Sequence, residues 1–294
     1  MTMYIGILIA LACAFFTNLA FLYKHRGACA APAVHVHHPL ASARGLFRSR
    51  WFAIGMLVAL GAWVLHVAAL AMAPMSVVQA VLAGGVVMLA VMAERIFGFR
   101  VGPRQWAGLG LTALGLVLLG VTLPAVHGAQ SQFSLPGMIA FEAGMVAVGA
   151  LLIMGKRIGA PDHHHGVMLG AAAGVMFGVS DVAIKAITGL VGHEGLLAAL
   201  LSPWTFVAIA ASIAAFYASA KGLQEGEAVP VIALTGTAAN VAGIGGGIIV
   251  FGDPLPGSAL GIVLQAIAFL LVIVAAALTP APVRAVATPA AAAH

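Results

Sequence analysis

Residues 70–120 read LAMAPMSVVQAVLAGGVVMLAVMAERIFGFRVGPRQWAGLGLTALGLVLLG, two long apolar runs joined by a short basic connection. Each run has about 20 residues, the length that a helix needs to cross a hydrocarbon core roughly 30 Å thick. Lipid offers no hydrogen-bond partner to an open backbone, so an apolar run of this kind crosses it as a helix. The stretch therefore predicts a transmembrane helical hairpin.

The rest of the chain has the same composition as this hairpin. Apolar residues make up 63% of the 294 residues and charged residues only 7%, against roughly a quarter charged in soluble domains. The net charge of +5 does not indicate nucleic-acid binding, because the basic residues stand singly at the ends of apolar runs. The composition predicts an all-α integral membrane protein.

Nine apolar segments are long enough to cross the bilayer as helices. They lie near residues 3–22, 51–72, 75–96, 104–123, 136–157, 166–190, 203–221, 228–250 and 255–279. Most connections are short and contain proline, so neighbouring helices are predicted to be antiparallel. The exceptions are the basic loop 23–50 and the Ala- and Pro-rich tail 281–294, which is predicted to be disordered.

The positions of lysine and arginine predict the orientation in the membrane. With nine spans, every basic residue except Lys185 falls on the same side, and that side is cytoplasmic by the positive-inside rule. The residues concerned are Lys24, Arg26, Arg44, Arg48, Arg50, Arg95, Arg100, Arg104, Lys156, Arg157, Lys221 and Arg284. We expect a multi-pass protein of the bacterial inner membrane, with the N-terminus outside and the C-terminus in the cytoplasm.

The opening hairpin has a weaker counterpart later in the chain. Residues 223–271 begin LQEGEAVPVIALTGTA and end VFGDPLPGSALGIVLQAIAFLL, with a turn at Gly252 where the first copy has Gly98. The pattern predicts two inverted four-helix repeats, 1–124 and 161–280, joined by a linker helix in 125–160. Inverted repeats are typical of transporters, because they give one fold an inward- and an outward-facing state.

At these residues the chain resembles the drug/metabolite transporter superfamily and its EamA-like members. The nine-span layout, the long loop after the first helix and the segment GVSDVAIKAI at 178–187 resemble the NIPA-type magnesium-transporter branch. The resemblance implies transport by alternating access. The substrates it implies range from metabolites, amino acids and cationic drugs to magnesium.

Ionisable groups inside apolar helices are costly and indicate a use. At a rise of about 1.5 Å per residue, His66, Glu142 and Asp181 are predicted at a similar depth near the outer surface. Lys185 follows Asp181 by one helical turn, so the two are expected either to form a structural ion pair or to take part in substrate or proton coupling. Asn18 is the repeat counterpart of Asp181. It is predicted at the mirror depth near the cytoplasm, as an inverted repeat would place it, and it joins the coupling candidates.

Two further sets of side chains are candidates for weaker reasons. The uncharged polar residues predicted to line a cavity or to join helices are Gln79, Tyr217, Thr235, Thr237, Asn240 and Gln265. The histidines that are weak metal-ligand candidates, or else solvated loop residues, are His35, His37, His38, His163, His164 and His165.

No phosphate-binding loop or hydrolase motif is present, so we expect neither direct coupling to ATP hydrolysis nor a cofactor. The leading hypothesis is a proton-linked secondary transporter for a small metabolite, drug or cation. The alternatives are a NIPA-like magnesium transporter, a non-transporting scaffold or metal sensor, and an enzyme acting on lipid. The expected partners are the bilayer, the substrate and, as an open alternative, a second copy in a homodimer.

Overall fold

The computed structural model describes residues 2–35, 38–96, 102–122, 132–226, 228–253 and 255–278, and within them all regular structure is helical. The predicted Gly98 turn, Arg100, His37 and the tail 281–294 with Arg284 lie outside the described residues. The α-helices, in chain order, are α1 Thr2–Cys29, α2 Pro39–Phe47, α3 Arg50–Met72, α4 Met75–Ala83, α5 Gly85–Arg95, α6 Pro103–Thr122, α7 Leu135–Ile153, α8 His165–Glu194, α9 Leu196–Leu200, α10 Pro203–Glu225, α11 Ala228–Phe251 and α12 Ala259–Leu278.

Seven helical segments of the described chain are long and apolar enough to cross a membrane, one of them made of α4 and α5 together. They cover Met3–Cys29, Arg50–Met72, Val77–Arg95, Leu135–Ile153, His165–Glu194, Pro203–Glu225 and Pro230–Phe251. Helices α6 and α12, of 20 residues each, occupy the positions of the predicted fourth and ninth spans and pack against each other. A multi-span helical membrane protein is therefore confirmed, and the nine-span layout stays a prediction.

The first loop is shorter than predicted. Helix α1 continues to Cys29, and α2 occupies part of the segment expected to be loop. The extra turns of α1 are stabilised by aromatic rings, because the Lys24 ammonium lies 3.8 Å from the Phe21 ring centroid and the Arg26 guanidinium lies 4.1 Å from that of Trp51. Cation–π contacts and flexible side chains allow these charged residues to lie on α1, although their charges had predicted that the helix ends before them.

Helix α8 is the most buried of the seven spans and packs against α7, α10 and α11. Its close approach to α11 depends on glycines at four-residue intervals. A Cβ on Gly174 would lie 2.2 Å from the Thr235 carbonyl oxygen, and one on Gly178 would lie 2.3 Å from the Ala242 Cβ. Small residues at this spacing allow helix backbones to meet where lipid gives no hydrophobic driving force.

The third span contains a tight turn at Gly84 that the sequence did not predict. The turn separates α4 from α5. At this turn, Gly84 N donates to Val81 O at 3.1 Å and Val87 N donates to Gly84 O at 3.1 Å, a local tightening of the helix.

Candidate substrate cavity

A cavity of about 200 Å³ lies between helices α1, α3, α4, α8 and α11. Its described walls are mostly apolar but carry a group of polar side chains. Those that the sequence analysis singled out are Asn18, His66, Gln79, Asp181, Thr235 and Asn240. The structure brings them together because polar groups on apolar helices are least costly when they face a common cavity.

Asp181 is the acidic group of this cavity and contacts two other helices. Gln79 Nε2 donates a hydrogen bond to Asp181 Oδ2 at 3.0 Å. His66 Nε2 lies 3.0 Å from Asp181 Oδ1. The ring N–H is not aligned for a hydrogen bond, so this second contact is electrostatic and strengthens when His66 is protonated. Both carboxylate oxygens of Asp181 thus have a nitrogen neighbour supplied by the protein.

Lys185 does not pair with Asp181, so the expectation of an intrahelical ion pair is wrong. Its side chain is fully buried, and Nζ donates to Leu70 O at 2.6 Å and to Ala73 O at 3.1 Å. These carbonyls belong to the end of α3, where the last turn of a helix leaves carbonyls unpaired and favours a cation. The four-residue spacing on α8 allows an ion pair between Lys185 and Asp181. The end of α3 instead offers Lys185 two carbonyl acceptors. Lys185 lies outside the cavity lining.

Asn18 lies at the turn in the third span. Its Nδ2 donates to Gly85 O and to Ala14 O, both at 2.9 Å. A Cβ on Gly85 would lie 2.7 Å from this amide nitrogen, so the contact needs a glycine there. Asn18 thereby ties α1 to the turn between α4 and α5, while Asp181 is tied to α4 through Gln79.

Gln79 is held between α4 and α11 by another close glycine contact. A Cβ on Gly243 would lie 2.6 Å from both Gln79 Cγ and Cδ. Only a glycine therefore leaves room for Gln79 beside α11. Gly243 thus positions the amide that binds Asp181.

The remaining predicted side chains do not line the cavity. Tyr217 Oη donates to Pro39 O at 3.0 Å, and Thr237 and Gln265 are buried. Glu142 is buried on α7, and its carboxylate oxygens have no hydrogen-bond partner among the described residues. Thr235 does line the cavity, but its hydroxyl also contacts the carbonyl oxygens of Gly170 and Val231 at 2.9 and 2.7 Å.

Lys24 lines the cavity although sequence reasoning placed it in a loop. It is 9% exposed, and within the described chain it pairs with no carboxylate. A lysine at a basic helix end is normally an orientation signal, which is why the sequence did not single it out. The absence of glycine and proline between positions 7 and 26 was the available signal for a longer helix.

The histidine clusters form no metal site within the described residues. His35 and His38 flank the start of α2, where Ser42 Oγ accepts from the His35 backbone N–H at 2.9 Å. His163 and His164 lie in a short 3-10 helix, Asp162–His164. His165 corrects the expectation of a solvated loop, because it begins α8, is buried and contacts the Glu225 carboxylate through Nδ1. Burial at the junction of α8 and α10 gives it a structural partner.

Apolar helices of spanning length around a cavity that carries a few polar side chains indicate a multi-pass membrane protein. No family model matches the chain, and no solved structure matches it.

Two relatives are similar to the chain along much of its length. One is "Probable magnesium transporter NIPA9" of Arabidopsis thaliana, 25% identical over 92% of this chain and 80% of the relative. The other is "Uncharacterized protein Cgl0250/cg0304" of Corynebacterium glutamicum, 26% identical over 67% of this chain and 68% of the relative. The first similarity covers nearly the whole chain.

Proposed function

We propose that the chain is a secondary transporter that moves a small solute through the described cavity by alternating access. The observation that carries the proposal is the contact of Asp181 with His66 and Gln79 across the cavity. Asp181 belongs to the second proposed repeat, whereas His66 and Gln79 belong to the first. A solute or proton that changes this contact therefore acts directly on the joint between the two halves.

The proposal includes nine spans and two inverted four-helix repeats of the drug/metabolite transporter type. Helices α1, α3, α4–α5 and α6 would form one copy and α8, α10, α11 and α12 the other, with α7 as linker. Packing of α1 on α3, of α8 on α10 and of α6 on α12 supports this arrangement. The basic residues support an N-terminus outside and a C-terminus in the cytoplasm of a bacterial inner membrane.

Proton coupling would use the two states of the Asp181 carboxyl group. The charged form accepts from Gln79 and attracts protonated His66. The neutral form has a proton to donate, and Gln79 Oε1, which has no hydrogen-bond partner among the described residues, could accept it after rotation of the amide. Protonation would therefore release His66 while keeping Gln79 bound. This loosens α3 from α8 and leaves α4 attached.

The test is transport in sealed proteoliposomes with an imposed proton gradient. Asp181→Asn keeps the shape of the side chain and removes its charge, so we expect gradient-driven uptake to fall by at least about tenfold, as for the loss of a charged contact. Asp162→Asn is the matched control, because Asp162 is exposed and lies outside the cavity lining. Wild-type rates in a folded Asp181→Asn protein would contradict the proposed coupling site.

Magnesium transport is the second candidate, favoured by the similarity to NIPA9 over 92% of the chain. Mg²⁺ usually keeps several water ligands and uses one or two carboxylates, so a cavity with one acid and neutral oxygens would have to bind it partly hydrated. Magnesium uptake followed with an entrapped fluorescent indicator tests this directly. An ion flux that depends on Asp181 and is unaffected by the proton gradient would favour magnesium over the proton-linked alternative.

A scaffold or sensor without transport, and an enzyme acting on lipid, are less well supported. The similarity to a transporter disfavours both, and the described histidines do not gather into a metal site. A homodimer would add a surface but is not needed to complete the cavity.

A further inference from the structure

The cavity holds a positive charge that the proposed coupling site does not use. Lys24 is 9% exposed, lines the cavity and is accompanied by the ring of Phe21, with Nζ 3.8 Å from the ring centroid. None of the described hydrogen bonds or ion pairs satisfies its ammonium. Burying a charged amine without a hydrogen-bonded partner is costly, so its retention in the cavity requires a reason.

The one acid of the described lining does not serve as the counter-charge of Lys24. Asp181 already has a nitrogen neighbour at 3.0 Å on each oxygen, from His66 and from Gln79. The lining is neutral overall when His66 is neutral, and it carries one positive charge when His66 is protonated. A divalent cation would meet an acid that is already paired and a repelling ammonium.

The two charged groups also lie at different depths. The Cys13 thiol donates to Ala62 O at 3.2 Å, one turn before His66 on α3, so Cys13 marks the level of the acidic site. The Lys24 ammonium lies over Phe21, eight residues further along α1, which corresponds to about 12 Å of helix rise. Thr17 and Asn18 lie between these levels on α1, and both they and Asn240 line the cavity.

We infer that the transported solute carries an anionic group, a carboxylate or a phosphate, that binds the Lys24 ammonium. This inference rests on the proposed function and narrows its substrate class. An ammonium surrounded by apolar wall gives a short, charge-assisted hydrogen bond to either anion. The neutral polar groups beside it would bind the uncharged part of the solute. Asp181 would then bind and release the coupled proton without contacting the anion.

Binding is tested on the purified full-length protein by thermal unfolding with sodium succinate or sodium phosphate, against sodium chloride at equal ionic strength. A ligand that binds only the folded state raises its unfolding temperature. We expect at least one of the two anions to do so for the wild type and for Lys24→Arg. Lys24→Met keeps the stem over Phe21 and should weaken the anion's apparent Kd by at least about tenfold.

Lys156→Met is the matched control, because Lys156 is a half-exposed lysine that contacts acids outside the cavity. It should keep wild-type anion binding. A rise with succinate alone assigns a carboxylate and a rise with phosphate alone assigns a phosphate. If neither anion stabilises the wild type beyond chloride, or if both stabilise Lys24→Met equally well, the inference is overturned.

Flux measurements separate this inference from the proposed function. In proteoliposomes, Asp181→Asn should lose gradient-driven uptake of the labelled anion yet keep anion binding. Binding that depends on Lys24 without any flux would refute transport and leave the anion site standing. Flux of Mg²⁺ that is unchanged in Lys24→Met would support transport and refute the anionic solute.

Discussion

Lys185 and Lys24 are two buried lysines of the same helical bundle with opposite surroundings. Lys185 is fully buried, and its ammonium is occupied by the carbonyls of Leu70 and Ala73 at the end of α3. Lys24 faces the cavity, and a phenylalanine ring is its described neighbour. The difference teaches that a charge inside a membrane protein indicates function only when the protein leaves it without enough partners of its own.

The largest expected effect is on stability, and it separates the two lysines. Lys185→Met leaves two buried carbonyls without a donor, so we expect the free energy of unfolding to fall by about 2–3 kcal/mol, as for lost hydrogen bonds to a charged group. Lys24→Met leaves no such orphan and should change the free energy of unfolding by less than about 1 kcal/mol. Unfolding in mixed detergent micelles, followed by circular dichroism, measures both.

Equal losses of unfolding free energy in Lys185→Met and Lys24→Met would contradict the distinction between the two lysines. Lys24 would then be a structural residue like Lys185, held by its packing rather than kept for a ligand. A stable Lys185→Met protein would be equally damaging, because it would mean that the end of α3 does not need the ammonium. Leu70→Ala is not a substitute for this test, since it leaves the Leu70 carbonyl in place.

A smaller effect is expected from the glycine that supports Lys24. A Cβ on Gly55 would lie 2.8 Å from Lys24 Cγ and 2.9 Å from Ala20 O. Gly55→Ala should therefore push α1 from α3 and cost about 1–3 kcal/mol of unfolding free energy, as for other overpacked sites. It should also weaken binding at Lys24. Both effects are measured by the unfolding and anion-binding assays described for Lys24.

Gly61→Ala is the matched control on the same helix. It is exposed, and a Cβ there would meet no atom within 4 Å. It should be neutral or slightly stabilising, since alanine favours a helix over glycine by up to about 1 kcal/mol. Equal losses in the two variants would show that helix α3 tolerates no added Cβ and that Gly55 has no special link to Lys24.

The sequence predicted the helices well because lipid imposes one solution on an apolar run of about 20 residues. The predicted segments 51–72 and 228–250 match Arg50–Met72 and Ala228–Phe251 to within one residue at either end. The same physics singled out Asn18, His66, Gln79 and Asp181 as candidates. It placed Asn18 at the opposite depth from His66 and Asp181, however, and only the fold brings the four residues to one cavity.

Partners and exact cavity membership were not accessible from the sequence. The choice of Lys185 between Asp181 and the end of α3 depends on a contact between distant segments. Lys24 has the same sequence signature as an orientation signal, and only the fold shows that α1 continues past it to Cys29. Glu142 has the signature of a coupling acid, yet its helix lies outside the cavity lining.

The smallest expected effect is the coupling energy between Asp181 and Lys185, which tests whether Lys185 is independent of the cavity. Asp181 and Lys185 lie one turn apart on α8, so a structural ion pair would give a double-mutant coupling well above experimental error. In the structure Lys185 binds a carbonyl at the end of α3, whereas Asp181 contacts His66 in the cavity. The unfolding effects of Asp181→Asn and Lys185→Met should therefore add to within about 0.5 kcal/mol, as independent sites do. The cycle of Asp181→Asn with His66→Gln is the positive control, and its coupling should exceed about 0.5 kcal/mol because those side chains touch. A large Asp181–Lys185 coupling beside a negligible Asp181–His66 one would restore the intrahelical pair and make Lys185, not Lys24, the lysine tied to the substrate site.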